Sequence, residues 1–440
     1  MYTFQMKSAN QHKTKMSYRT IPFILRLISC LITVYIFSNG LTASVSLYAQ
    51  DRSMQPLPLE IQYFPENNPN LKTGAEQPEL FLPLLAGKRV AVVANHTSLI
   101  GTVHLVDSLL SLGIQVVKIF SPEHGFRGNV DAGDEINDTL DIKTGLPIVS
   151  LYGKKKKPDH YDFKVDSLWI DLVVFDMQDV GVRFYTYIST LTYMMEACAL
   201  ACVPLMIFDR PNPNGHYVDG PVLQPGFESF VGLHPVPVVH GMTIGEYARM
   251  VNGEYWLPDS LQCDLTVIPV KNYDHHTFYQ LPEKPSPNLN SMTSVYLYPS
   301  VCFFEGTSAS LGRGTMMPFR IIGHPYFCKG EYSFTPVSIP GMSARPPLEG
   351  IECYGYQLER EAETILQPPY GLKLGWLLDF YNYLNDIPGF FIPYFDKLAG
   401  TDRLRLMIMD GCTEEEIRES WSEELDNYRK IRKKYLMYKE

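Results

Sequence analysis

From residue 88 onward, short apolar runs alternate with stretches of helical spacing. Lys88–Ala94 reads as a buried strand. Val103–Leu112 then places apolar residues at Val103, Val106, Leu109 and Leu110 and stops at Gly113, which predicts a helix. Ile114–Phe120 is the next strand, Trp169–Phe175 a third, with Met194–Ala201 inside the helix that follows it, and Val203–Phe208 a fourth. Val236–Val239 adds a strand candidate, Thr243 and Glu246 form a capping box, and Leu265–Val270 is placed to close the sheet. Strands alternating with helices imply right-handed crossovers, hence an α/β fold on a mainly parallel sheet. Past about residue 275 the texture turns to Pro, Gly, Tyr and Phe, with short strand candidates and few long helices. Thr413 and Glu416 make a second capping box, and Ile417, Trp421, Leu425, Tyr428 and Ile431 follow as a core-type helical stripe.

The first 49 residues break this pattern. Lys7, Lys13, Lys15, Arg19 and Arg26 come without any Asp or Glu, and an apolar run from Leu27 to Phe37 leads to small residues. That order is expected of a cleaved secretory signal over 1–49, and the run is short for a stable membrane span. An exported chain follows, periplasmic if the cell has an outer membrane and otherwise secreted. Residues 50–80, rich in Pro, Asn, Gln and Glu, read as a linker. Loss of the leader leaves 33 basic against 48 acidic residues, a balance that disfavours nucleic acid as a partner. No Cys-x-x-Cys, His-Glu-x-x-His or Gly-x-Ser-x-Gly occurs, and no Gly-x-Gly-x-x-Gly follows the first strand, so neither a metal nor a cofactor is expected.

Ligands of open α/β sheets bind beyond the carboxyl ends of the strands. Four strand ends carry polar clusters: Asn95-His96; Glu123-His124 with Arg127; Asp176, Gln178 and Asp179 with Arg183 and Tyr185; and Asp209-Arg210 with Asn212. Glu123, between apolar Phe120 and Phe126, suits a general acid whose pKa is raised by desolvation. Pairing with Arg127 would make it a loop staple with a lowered pKa instead, and chemistry alone leaves the two open. His124 is placed to support Glu123. Asp176 and Asp179 are candidates for the second carboxylate of a glycoside hydrolase, with one of them holding Arg183 as the competing role. Phe304–Thr315 adds Glu305 and Arg313 among small residues that permit close backbone approach.

Taken together, SPEHGFRG (121–128), TGLPIVSLYG (144–153), FDMQDVGVRFYTYISTL (175–191), FDRPNPNG (208–215), HGMTIGEYA (240–248), PSPNLNS (285–291) and YPSVCFFEGTSASLGRGT (298–315) resemble the NamZ family of exo-β-N-acetylmuramidases. The resemblance implies a Rossmann-like domain over 81–275, a smaller α+β substrate-binding domain over 276–440, and a cleft between them. It also implies release of N-acetylmuramic acid from non-reducing ends of peptidoglycan-derived muropeptides or disaccharides, with Glu123 as the catalytic Glu of the Pro-Glu-His-Gly motif. The sugar's lactyl carboxylate calls for an Arg (Arg127, Arg183 or Arg313), its acetamide for Asn95, Gln178 or Asn212, and its ring for Tyr185 or Tyr187. Two other readings make distinct products: a noncatalytic peptidoglycan-binding protein releases nothing, and an amidase or esterase at the lactyl-peptide junction releases peptide.

Overall fold

The computed structural model describes residues 64–122, 125–127, 139–153 and 155–440. The expected signal segment, and Glu123 and His124, lie outside the described residues.

Among the described residues the main sheet has seven strands: β1 (Arg89–Ala94), β2 (Gln115–Ser121), β3 (Thr139–Leu140), β4 (Pro147–Ser150), β5 (Leu172–Asp176), β6 (Leu205–Phe208) and β9 (Leu265–Ile268). Their order is β9-β6-β5-β1-β2-β4-β3, parallel throughout except for β3. Side chains of a strand alternate between faces. Ala91, Val93, Val173, Phe175, Leu205 and Ile207 therefore join one core, and Val90, Val92, Leu172, Val174, Met206 and Phe208 the other. Helices α1 (Pro78–Leu85) and α2 (Leu105–Ser111) cover the second face, while α3 (Tyr187–Ala201) and α4 (Ile244–Gly253) cover the first. With both faces buried, near-continuous apolar strands are what a parallel sheet requires.

The strand over Val236–Val239 forms, but as β8 (Pro237–Val239), paired antiparallel with β7 (Asp219–Val222) outside the main sheet. The helix expected from Val103 starts at Leu105, because Val103 and His104 pair back onto Leu99 and Ile100. His104 then caps the helix, its Nδ1 accepting from the Val106 amide. Residues 64–80, expected as linker, lie against the sheet. The Gly74 amide donates to Asp209 O at 2.8 Å, and a Cβ there would sit 2.4 Å from Ile268 O, so only glycine allows the approach.

Beyond β9 come α5 (Met292–Val301) and a three-stranded antiparallel sheet of β10 (Ile321–His324), β11 (Tyr332–Phe334) and β12 (Cys353–Gln357), with β12 central. Helices α6 (Gly375–Leu384), α7 (Tyr394–Ala399), α8 (Glu414–Glu419) and α9 (Ser422–Arg432) complete it. Both expected capping boxes form. The aromatic stripe is core as expected, split between α8 and α9 by a break at Ser420 and Trp421. No helix among the described residues is long and apolar enough to cross a membrane.

Candidate active site

The strand order reverses at β1: the chain runs outward through β2 to β4, then returns to β5 on β1's other side. The crevice between the carboxyl ends of β1 and β5 is thus the topological switch point, where such sheets bind ligands. Ala94 and Asp176 are register partners, so residues 95–98 and 177–179 leave the sheet side by side. A buried network ties them together. Asn95 Nδ2 donates to Tyr187 Oη at 2.6 Å, and Asn95 Oδ1 accepts from the Thr97 amide and hydroxyl. Thr97 Oγ1 accepts from the Gln178 amide, and Ser98 Oγ donates to Asp176 O.

Several expected roles change here. Asp176 holds Arg210 rather than Arg183: Arg210 Nε and Nη2 donate to its two oxygens at 2.5 and 2.9 Å, with the side chains 0% and 2% exposed. The Arg210 pKa is raised, the charge and hydrogen bonds of Asp176 outweighing the opposing effect of burial. Arg183 is buried, and it donates to Pro221 O, Val236 O and Leu398 O. It therefore cross-links β7, the approach to β8 and the end of α7 and has no face for a ligand; burial pushes its pKa down to about 9. Tyr185 donates to Pro285 O at 2.6 Å and meets Tyr187 edge-on at 4.7 Å, so both rings belong to the core rather than to an open sugar platform. Asn212 is buried too, with Nδ2 on Met242 O and Oδ1 on the Asn214 amide.

Asp209 is covered by the end of the chain. Its oxygens accept from Tyr438 Oη, Thr243 Oγ1 and the amides of Arg210 and Gly245, clasping the C-terminal tail to the start of α4. Burial pushes its pKa up to about 6 against the pull of those hydrogen bonds, and the charge of nearby Glu246 adds to the rise. A carboxyl raised in the folded state contributes stability that is full below its unfolded pKa near 4 and is lost as pH rises through about 6. Asp209→Asn removes this titration. The unfolding free energy of the variant relative to wild type is expected to improve by about 2 kcal/mol between pH 4 and pH 7. Urea denaturation at both pH values measures it, and a difference independent of pH contradicts it.

Beside these locked groups lie polar atoms without hydrogen-bond partners among the described residues. Gln178 Nε2 donates to Asp179 O and Pro211 O, but its Oε1 is buried and unpaired. Asp179 Oδ2 accepts from the Gly181 amide at 2.7 Å, while Oδ1 has no partner. His240 follows β8, with Nδ1 accepting from the Met242 amide and an unpaired Nε2 lying 3.8 Å from Asp179 Oδ2. Unpaired buried groups cost about 1–3 kcal/mol each, so a carboxylate and an imidazole left side by side in this way, with an unpaired amide oxygen on the neighbouring residue, mark a candidate ligand site. His240 was not singled out from the sequence. Its signal was the same strand-end position as the others, one residue beyond Val239.

The described residues on either side of positions 123 and 124 are well held. Phe120 is buried in the sheet, Gly125 turns at φ +74°, and Phe126 stacks edge-on against His104 at 4.4 Å. His104 Nε2 in turn donates to Asn95 O, and burial lowers its pKa, keeping it neutral. Arg127 is held by Asp141 on its Nε/Nη2 edge and by Asp107 on its Nη1/Nη2 edge, at 2.8–3.2 Å. Both edges of that guanidinium are occupied by the protein itself, which takes Arg127 out of reach of a ligand carboxylate.

Glu305 and Arg313 line a cavity of about 280 Å³ with Phe304, Ser310, Leu311 and Tyr394. Arg313 Nε and Nη2 both donate to Glu305 Oε1, at 3.1 and 2.5 Å. Among the described residues no group of three or more His, Cys, Asp or Glu is placed to hold a metal ion.

Comparison with known proteins identifies the family. Models of the exo-β-N-acetylmuramidase NamZ family match over residues 90–293 for the N-terminal part and 296–438 for the C-terminal part. The chain is 39% identical over 375 residues to the peptidoglycan β-N-acetylmuramidase NamZ of Bacillus subtilis, spanning 80% of this chain and 88% of that protein. Two crystal structures of DUF1343 family proteins from Bacteroides fragilis superpose with TM-scores of 0.77 at 47% identity and 0.70 at 27% identity, each spanning 84% of this chain and 99% of the other.

Proposed function

This chain belongs to the NamZ family of exo-β-N-acetylmuramidases, and from that membership we infer that it is a glycosidase releasing N-acetylmuramic acid from the non-reducing ends of peptidoglycan fragments. The observation that carries the reading is the pair of family matches, which run in order from residue 90 to residue 438. The mixed α/β fold with its switch-point crevice agrees with the fold of the two Bacteroides relatives.

In the proposed mechanism Glu123 protonates the leaving oxygen as the anomeric carbon takes on oxocarbenium character, with His124 supporting it. The second carboxylate is Asp179 rather than Asp176. Asp176 has both oxygens on Arg210, whereas Asp179 keeps Oδ1 without a hydrogen-bond partner among the described residues. His240, within 3.8 Å of Asp179, is suited to orient it. Gln178 Oε1 is an available acceptor for an acetamide N–H. The same proposal includes a leader over 1–49 that exports the chain, periplasmic where the cell has an outer membrane, and a division into a catalytic domain over 81–275 and a substrate-binding domain over 276–440.

Incubation with a disaccharide bearing N-acetylmuramic acid at its non-reducing end tests the reading. Free N-acetylmuramic acid is the expected product by mass spectrometry. Binding without release indicates a noncatalytic wall-binding protein, and free peptide from a muropeptide indicates an amidase; either result overturns the assignment.

A further inference from the structure

We propose that Arg313 is the residue that recognises the lactyl carboxylate of the terminal muramic acid, in the cavity it shares with Glu305; this rests on the muramidase reading above. An arginine that reads a ligand carboxylate needs one edge of its fork free and facing a space. Arg183 spends its fork on three carbonyls in the interior, and Arg210 spends its own on Asp176. Arg127 is filled on both edges. Arg313 differs from all three. Its Nε and Nη2 converge on one oxygen of Glu305, its Nη1 carries no protein hydrogen bond among the described residues, and its side chain is 29% exposed.

Arg127 shows what the finished arrangement looks like in this same protein. There one carboxylate, Asp141, takes the Nε/Nη2 edge and a second, Asp107, takes the Nη1/Nη2 edge. On Arg313, Glu305 occupies the first position and the second is open. A ligand carboxylate fits the place that Asp107 fills on Arg127. Glu305 meanwhile fixes the plane of the guanidinium, so little freedom is lost on binding.

The surroundings suit a lactyl group in particular. Phe304, Ala309, Leu311 and Pro347 give the cavity apolar walls for the methyl, and Ser310 and Thr307 add hydroxyls. Arg313 lies 5.2 Å from the Phe319 ring, a cation–π contact that favours this orientation of the fork. Phe319 meets Tyr298 at 5.0 Å, and Tyr298 meets Tyr185 at 6.2 Å, so packed rings link the side chain behind Arg313 to the segment that carries Asp179. A cavity of about 280 Å³ is close to the lower end of ligand pockets, as expected for a substituent or a single ring.

The test pairs a β-muramide glycoside with the same glycoside carrying the lactyl group as its methyl ester. Wild type is expected to prefer the free acid by about 10–100-fold in kcat/KM, chiefly through KM, the range of one charge-assisted bidentate contact. Arg313→Met should lose that preference by slowing the acid while leaving the ester within about threefold, and Arg313→Lys should fall between them. Equal loss on acid and ester, or an undiminished preference for the acid in Arg313→Met, overturns the proposal. Calorimetric titration with N-acetylmuramic acid and its methyl ester reads the same difference without turnover. Arg313-dependent binding of the acid in a protein that releases no sugar would sink the hydrolase reading and keep this one. Turnover without Arg313-dependent discrimination would do the reverse.

Discussion

Glu123→Gln is expected to lower kcat on a muramyl disaccharide by about 10²–10⁴-fold with KM little changed, the range that a positioned general acid contributes. Gln keeps the size and one hydrogen-bond acceptor of Glu but has no acidic proton. The sugar leaving group departs as a poor, basic oxyanion unless it is protonated. An aryl glycoside whose phenolate leaves unaided should therefore suffer much less from the same substitution. The alkaline limb of the wild-type pH–rate profile, where the acid loses its proton, should vanish in the variant. The sequence supplies the case for an acid: Glu123 stands between apolar Phe120 and Phe126, and an apolar setting raises a carboxyl pKa. Arg127 has two carboxylate partners in Asp107 and Asp141, so its charge is balanced without a staple from Glu123. Equal losses on the disaccharide and on the activated glycoside would remove Glu123 from the acid role.

Arg210→Met is expected to cost about 3–5 kcal/mol of stability, because it leaves the Asp176 carboxylate buried without its countercharge. Asp176 ends β5, Arg210 follows β6, and Arg210 Nη2 also donates to Leu99 O, so one guanidinium joins three strand-end segments at the switch point. Its removal should lower the urea midpoint and reduce turnover together, since residues 95–98 and 177–179 rely on the same network. Removing both charges, as Asp176→Leu with Arg210→Met, should recover much of the stability, since an apolar pair of similar volume escapes the desolvation penalty. Turnover is not expected to return with it, because the Leu99 contact stays broken. A loss below about 1 kcal/mol in the single variant would contradict the buried-pair reading.

The sheet was legible because its strands are buried on both faces. Lys88–Ala94, Ile114–Phe120 and Val203–Phe208 are apolar at nearly every position, and each lies within a residue or two of a strand in the fold. The capping boxes at Thr243 and Thr413 were legible for a local reason, since both partners of each reciprocal hydrogen bond lie within four residues. What escaped was long-range. That β8 pairs with β7 rather than extending the main sheet depends on residues 15 or more positions apart. The placement of Gly74 against β6 and β9 depends on contacts more than 130 residues away in the chain.

The candidate site divides along the same line. Its residue types were visible in sequence: the strand ends bearing Asn95, Glu123, Asp176 and Asp209 were recognisable because polar residues follow apolar strands, and the ordered family motifs pointed to the reaction. Which of those groups face a ligand was decided by tertiary partners. Arg183 found three carbonyls and kept only a buried Nε over, Asp209 found the C-terminal Tyr438, and Arg127 two aspartates, while Asp179, His240 and Arg313 kept an atom without a hydrogen-bond partner among the described residues. Hydrophobic period and local capping are properties of neighbouring residues, so the chain by itself determined the sheet, its helices and the family. The partner of a charge is chosen among residues up to 229 positions distant, and only the folded chain makes that choice.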